Sequence, residues 1–370
     1  MKTMEYEYVI LEGSHYEVGK QRGEYLKKNL KDLNYYREPF FYSGNTLSKS
    51  KINDIKILYQ EYYPEILSEV AGFADAIGVA EDSVIYRAHM YENYGGCCHM
   101  AVGAEFTANH HVLVGRSYEY SLEDERKLTW CRISGKPAHL GFAVYLFGRY
   151  EGINEYGLSI TVSNSTPGVT PEADGIRFWV AVRMLIENCE NTRQAVELLK
   201  DIPVSANNNF IIADKSGDIV LAESACFGGK RMMKFKQIEE FVVSTNHYAI
   251  QEMEPYNRNK MNQSVMRYDV ADETLRNCVP NVDETIVKRI LSEKVPNGVC
   301  CHQYEDGLGT LYSMFMDLNS MEIKVCLGSP NINKWYKIDL FSNKSGSWNI
   351  QIPYINEYPQ NPSYFWEKCK

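Results

Sequence analysis

The step Gly95-Gly96-Cys97-Cys98 holds the residues of this chain best suited to covalent chemistry. A cysteine thiolate is a strong nucleophile, and a cysteine that begins a chain carries its own base. Once the peptide bond before Cys97 is cut, its α-amine, with an ordinary pKa of about 7.7–8.0, can take the thiol proton near neutrality. The same thiol can first attack the Gly96 carbonyl and form a thioester that water opens. Gly96 suits that attack because glycine tolerates unusual backbone geometry. On the local sequence alone a plainer reading is favoured: a Gly-Gly turn followed by a small core cysteine. Two further readings compete. Cys97-Cys98-His99 is echoed by Cys300-Cys301-His302, which raises the question of zinc. However, adjacent residues on a strand point to opposite faces, and zinc sites favour C-x₂₋₄-C spacings. A papain-like thiol enzyme would need a histidine base, and His247 is the obvious partner.

The elements that must position these residues change character at Tyr94. Residues 1–93 read mostly as helix. A helix opens at Tyr16–Leu26, where Gly19 and Gly23 suggest close helix packing. Another spans Ile52–Ile77, with apolar residues three and four apart and a break at Pro64. After Gly96 the pattern is strand-like: Met100–Thr107, Val112–Tyr120, Leu128–Ile133, Leu140–Phe147 and Leu158–Ser163. Phe178–Leu199 returns to helical spacing. Strands follow at Phe210–Ala213, Asp218–Glu223 and Phe241–Thr245, then a helix at Asp283–Glu293. A hairpin of Leu311–Asp317 and Ile323–Leu327 comes last. This alternation predicts antiparallel sheets covered by helices. The tail from Gln351 is expected to drape over the surface.

Composition narrows the class. The 370 residues are 44% hydrophobic, with 27 Tyr, 14 Phe and 5 Trp, as expected of a packed globular protein. The net charge of −9 and the lack of a basic run argue against a nucleic-acid partner. No segment has the length and apolarity of a membrane span or a secretory leader. Ten scattered cysteines do not form a disulfide framework, so a reduced, cytoplasmic setting is expected.

Gly96-Cys97-Cys98-His99-Met100-Ala101 resembles the cleavage site of the acyl-coenzyme A:isopenicillin N acyltransferase family. The resemblance runs through most of the chain. Gly13–Gly19 with Gly23 is similar to the family's opening, and Tyr63-Pro64-Glu65 with Gly72-Phe73-Ala74 to its propeptide helix. Gly115-Arg116-Ser117-Tyr118-Glu119 resembles its Gly-Arg-Asn-x-Asp strand. Gly152–Leu158 resembles a block shared with choloylglycine hydrolases and penicillin V acylases. Asn209-Phe210, Thr245-Asn246-His247, and Ser264 with Arg267 follow in the expected order.

The resemblance implies the four-layer αββα fold, of α+β class, of the N-terminal-nucleophile hydrolases. Residues 1–96 would be a helical propeptide or α chain, and residues 97–370 the catalytic β chain. Cys97 matches the nucleophile. Cys98 competes with it, but the family's Ala four residues on is met by Ala101 for Cys97 and replaced by Val102 for Cys98. Asn164 and Asn246 match the carboxamides of an oxyanion hole, although each could instead cap a turn. Arg116 and Glu119 match an Arg and an Asp that orient the nucleophile's amine. Glu in place of Asp, and Ser117 in place of Asn, depart from the pattern. Arg267 matches a supporting Arg, and Ser313 a Ser implicated in processing. The implied enzyme is a self-cleaving amidohydrolase acting on a small N-acyl compound through an acyl-Cys97 thioester. It needs no cofactor, its two fragments stay associated, and homo-oligomerisation is left open. The alternatives are acyl-CoA-dependent transfer to a small amine, and a family member that only binds a ligand. The aromatic segments Tyr91–Tyr94 and Phe142–Tyr150 are compatible with an apolar acyl group.

Overall fold

A computed structural model describes residues 2–29, 48–89, 95–144, 147–342 and 346–369. Two large sheets pack face to face, each with helices on its outer side. The smaller sheet runs Phe241–Ser244, Gly96–Val102, Leu113–Tyr120, Leu308–Asp317, Glu322–Leu327 and Trp335–Ile338 in spatial order, all antiparallel neighbours. The larger sheet runs from Lys230–Ile238 through Ile219–Phe227, Asn208–Asp214, Leu158–Asn164, Glu151–Asn154, His139–Val144 and Lys127–Ile133. It ends in Lys2–Gly13 and Trp348–Tyr354. Helices Asn262–Cys278 and Glu284–Ser292 cover the small sheet, placing Ala271, Leu275, Val287 and Leu291 against Met100, Val102 and Phe315. Helices Phe178–Asn188 and Thr192–Asp201 cover the large one. The expected four-layer αββα arrangement is therefore present.

Every residue of Gly96–Val102 is buried because both faces of its sheet are covered. Alternation sorts them. Cys97 and Ala101 belong to the core between the sheets, while Cys98, Met100 and Val102 belong to the helix-facing core.

The N-terminal segment differs from expectation at its start. Lys2–Gly13 is a strand, not helix, parallel to Lys127–Ile133 and antiparallel to Trp348–Tyr354. Buried Met4, Tyr6 and Tyr8 alternate with exposed Thr3 and Glu5 and half-buried Glu7, a period of two that the helical reading overlooked. Helices then follow at His15–Asn29, Lys49–Tyr62, Glu65–Ile77 and Glu81–His89. The expected glycine contact is present. A Cβ on Gly19 would lie 2.0 Å from the Glu69 carbonyl oxygen, and one on Gly72 would lie 2.0 Å from that of Tyr16. Any side chain at either position would force the two helices apart.

Four other expectations need correction. The helical run Phe178–Leu199 is two helices, broken at Cys189–Asn191, where Asn191 caps the second. Strand Lys230–Ile238 and helix Asn262–Cys278 are elements the sequence reading did not assign. Lys230–Ile238 is an edge strand with mostly exposed, charged residues, so its apolar period is weak. The tail does not simply drape, because Trp348–Tyr354 completes the edge of the large sheet beside Lys2–Tyr8.

Candidate active site

Cys97 sits one residue into its strand, opposite Tyr118, with Gly96 opposite Glu119. It is 4% exposed. Its backbone N–H donates to Asn246 Oδ1 at 3.0 Å, and its carbonyl accepts from Arg267 Nη1 at 2.8 Å. Arg267 Nη2 also donates to Asn246 Oδ1 at 2.7 Å. With its oxygen held twice, the Asn246 carboxamide must turn its NH₂ the other way. That nitrogen reaches the Asn164 carbonyl at 2.9 Å and the Gly95 carbonyl at 3.4 Å. Asn246 thus straddles Gly96, from the Gly95 carbonyl to the Cys97 N–H. Ser264 fixes it from behind by accepting its backbone N–H at 2.9 Å.

Arg116 and Glu119, three residues apart on one strand, face opposite sides and do not act as a pair. Arg116 points between the sheets, where its Nε meets Glu151 at 3.3 Å and its Nη1 donates to the Ser117 carbonyl at 3.2 Å. Glu119 points toward the covering helices. There it receives Arg267 Nη1 at 3.4 Å, Thr310 Oγ1 at 3.2 Å and the Ser117 hydroxyl. Ser117, noted only as a departure, therefore has a role: it ties down the longer Glu119 side chain.

Electrostatics follow from burial. Burial pushes the Cys97 thiol above its ordinary pKa, and the Arg116 guanidinium partly offsets this. Burial raises the Glu119 carboxyl, opposed by Arg267. Cys98 is pushed up to about 12 by burial, opposed by Arg267, and its side chain lies in the helix-facing core, away from the one Cys97 faces. The geometry thus separates the two adjacent thiols.

Gly96 is required for a different reason from the one its chemistry suggested. It is not among the residues of positive φ. A Cβ there would meet Leu308 Cδ1 at 2.4 Å and Glu119 Cβ at 3.2 Å. Packing, not a rare backbone conformation, demands glycine.

The remaining candidates fall as follows. The backbone carbonyl of Asn164 positions Asn246, and its side-chain oxygen accepts from Thr166 N–H at 3.1 Å. His247 does not bond to Cys97. Its Nδ1 lies 2.9 Å from Ser264 Oγ and 3.2 Å from Thr245 Oγ1, and burial lowers its pKa to about 3. His99 faces the same way as Cys97, but its nitrogens lie 2.7 Å from Thr161 Oγ1 and 3.1 Å from Ser163 Oγ. The papain-like arrangement is therefore not assembled. Ser313 is fully buried opposite Ser117, and its hydroxyl has no hydrogen-bond partner among the described residues. Cys300 and His302 converge on the Ser329 hydroxyl, at 3.0 and 2.7 Å, while Cys301 faces a separate cluster with Leu308 and Phe365. Among the described residues no group of three His, Cys, Asp or Glu side chains could hold a metal ion. No helix among them is long and apolar enough to cross a membrane. The aromatic segment Tyr91–Tyr94 lies outside the described residues, as do 145 and 146.

Sequence reasoning missed Glu151, Gln263 and Thr310. Gln263 Oε1 accepts from Arg267 Nε at 3.1 Å, one helical turn away, a spacing that could have been read once the helix was recognised. Glu151 comes from the facing sheet, and no local signal announces it.

Two face-packed sheets between helical layers, with a cysteine at the start of an inner strand, make the architecture that of an N-terminal-nucleophile hydrolase. Residues 106–332 match the family described as acyl-coenzyme A:6-aminopenicillanic acid acyl-transferase, and the chain belongs to that family. Among solved structures it is similar to a variant of conjugated bile acid hydrolase from Clostridium perfringens. The identity is 15% and the TM-score 0.47, covering 71% of this chain and 99% of that one. Penicillin V acylase from Agrobacterium tumefaciens matches at 13% identity and a TM-score of 0.41, over 76% and 92% of the two chains. An N-acylethanolamine-hydrolyzing acid amidase orthologue from Caenorhabditis elegans matches at 15% and 0.40, over 60% and 93%. No curated protein sequence matches the chain.

Proposed function

We propose that this protein is a self-processing cysteine amidohydrolase that acts on the C–N bond of a small N-acyl compound. The observation that carries the proposal is the seat of Asn246 beside the Gly96–Cys97 bond: its oxygen accepts the Cys97 N–H and its NH₂ lies on the Gly95 carbonyl, one residue before the scissile one. Attack of the Cys97 thiol on the Gly96 carbonyl transfers the acyl group from nitrogen to sulfur. Water then opens that thioester and leaves residues 1–96 and 97–370 as two chains.

The freed amine of Cys97 keeps Asn246 Oδ1 as its acceptor and becomes the base for a thiol that burial keeps protonated. Asn246 and the carboxamide nitrogen of Asn164 supply the oxyanion donors, each worth on the order of 3 kcal/mol of barrier. Arg267 and Glu119 hold the nucleophile's backbone, and Arg116 faces its sulfur. The substrate amide loses its amine as the acyl-Cys97 thioester forms, and water releases the acid. Passing the acyl group to an amine instead, with acyl-CoA as donor, would use the same centre, and the family's description favours including it in any assay. The fragments stay together because strand Lys2–Gly13 is paired on both sides within the sheet of the larger fragment.

Denaturing mass spectrometry tests this directly. Two fragments split at Gly96/Cys97 in the wild type, and one chain in Cys97→Ala, are expected. A fully active wild type that remains a single chain would defeat the cleavage claim. Absence of any acyl adduct on Cys97 with a panel of N-acyl compounds would defeat the catalytic one.

A further inference from the structure

Leu113–Tyr120 runs antiparallel to the nucleophile's strand, so the loop at residues 121–126 continues past Gly96 and overhangs the point where Cys97's strand begins. That loop carries Asp124. The Tyr118 hydroxyl donates to Asp124 Oδ2 at 2.6 Å, and the Tyr150 hydroxyl lies 3.1 Å from Oδ2 and 3.4 Å from Oδ1. Tyr118 is also the residue directly opposite Cys97. The Tyr118 and Tyr150 rings are 4.4 Å apart, with Phe178 6.2 Å from Tyr150 and Tyr120 6.3 Å from Tyr118.

A carboxylate set among aromatic rings usually has a cation beside it. Asp124 forms no ion pair among the described residues. Arg126, two residues on, donates its Nη1 to the backbone carbonyls of Leu122 and Asp124, not to the carboxylate. Arg116 lies over the Tyr118 ring at 5.5 Å but meets Glu151. Glu125 adds a second negative charge, and burial pushes the Asp124 carboxyl up to about 6, the behaviour of an acid without a counter-ion.

We propose that Asp124, with the Tyr118 and Tyr150 rings, recognises a positively charged group on the substrate, and that the substrate is an N-acyl compound bearing a protonated amine. The proposal rests on the acyl-Cys97 reading and adds to it the substrate's charge. The ammonium would pair with the carboxylate and lie against the π-faces, leaving the scissile carbonyl to reach Cys97 across the width of Tyr118. A site that only fastened the loop would need the tyrosine hydroxyls but not the charge.

The test compares N-acyl-1,4-diaminobutane with N-acyl-butylamine, and a second pair with the ammonium on the acyl side. The wild type should favour the cationic member of one pair by about 10-fold or more in kcat/KM. In Asp124→Asn, which keeps hydrogen-bonding capacity and removes the charge, that ratio should fall to about 1. Equal rates within both pairs in the wild type, or a ratio that survives in Asp124→Asn, would overturn the proposal. Calorimetry on the processed wild type with the product amines and acids, which it does not turn over, provides a readout independent of turnover. 1,4-Diaminobutane or the cationic acid should bind more tightly than its neutral counterpart, and equal binding of both pairs sinks the idea. Failure of the amidase reading looks different: no acyl adduct on Cys97 with any compound, whatever its charge.

Discussion

Two regions of this molecule bury arginine against glutamate, and they do so for different ends. At the Cys97 centre, Arg267 divides its donors among a backbone carbonyl, a carboxamide oxygen, Gln263 and Glu119. Its charge is spent on orienting the strand that carries Cys97. Behind the large sheet, Arg183 pairs with Glu187 on its own helix and meets Glu69 at 2.7 Å from the N-terminal segment. Tyr63 and His139 also reach Glu187, and His15 and Arg22 lie 3.5 and 3.7 Å from Glu69. That cluster joins the first 96 residues to the remainder. The lesson is that burial makes a charge expensive to leave alone, so the partner's location tells which parts of the chain are being held together.

The largest way to break the comparison is at Cys97, the proposed nucleophile. Cys97→Ala should lower turnover by on the order of 10⁴-fold with folding intact, while Cys98→Ala should leave acylation in place; adduct mass spectrometry separates the two. Next in size is the other region. Glu69→Gln leaves Arg183 and Arg22 short of a buried counter-charge and should cost about 3–5 kcal/mol in denaturant unfolding, with little change in the acylation chemistry of the protein that remains folded. Asn246→Ala should reduce kcat by about 10²- to 10³-fold, whereas His247→Ala should matter less. The reverse order would revive a thiol–imidazole mechanism.

Acid sharpens the contrast. Burial lowers His139 to about 4, while its unfolded value stays near 6.5. Between those limits the unfolded chain binds the extra proton, so stability falls as pH drops from 6.5 to 4. The margin of wild type over His139→Gln should therefore shrink across that window by roughly 2–3 kcal/mol. For Glu69, burial alone would raise the carboxyl, but Arg183, His15 and Arg22 bring it down to about 2. Its contribution is complete above the unfolded value and disappears as pH falls toward 2. The smallest effect concerns Arg149, which is fully buried. Its Nε and Nη2 have no hydrogen-bond partner among the described residues, and burial with Arg183 and Arg22 nearby lowers it to about 9. Arg149→Met should leave Tm unchanged or raise it, since it removes a buried charge that has no ion pair among the described residues.

Much of the site was legible along the chain, because its parts lie in short, ordered blocks: Gly96-Cys97, Arg116 to Glu119, Thr245-Asn246-His247, and Ser264 with Arg267. What could not be read was which of these meet. Arg116 and Glu119 look like partners by spacing, yet strand alternation turns them to opposite faces and gives each a partner more than 30 residues away. Strand Lys230–Ile238 escaped notice because an edge strand with exposed lysines has little apolar period. The N-terminal strand was masked by the helices that follow it.

The sequence by itself determined the blocks around Cys97, the αββα layering and the family, since local residue types and the order of blocks survive in one dimension. Tertiary structure decided that Cys97 and not Cys98 meets Asn246, that Gly96 is glycine for lack of room, and that Arg267 rather than Arg116 answers Glu119. Those outcomes depend on which face a side chain takes and on what the next sheet or helix places against it, and neither is a property of the chain until it folds.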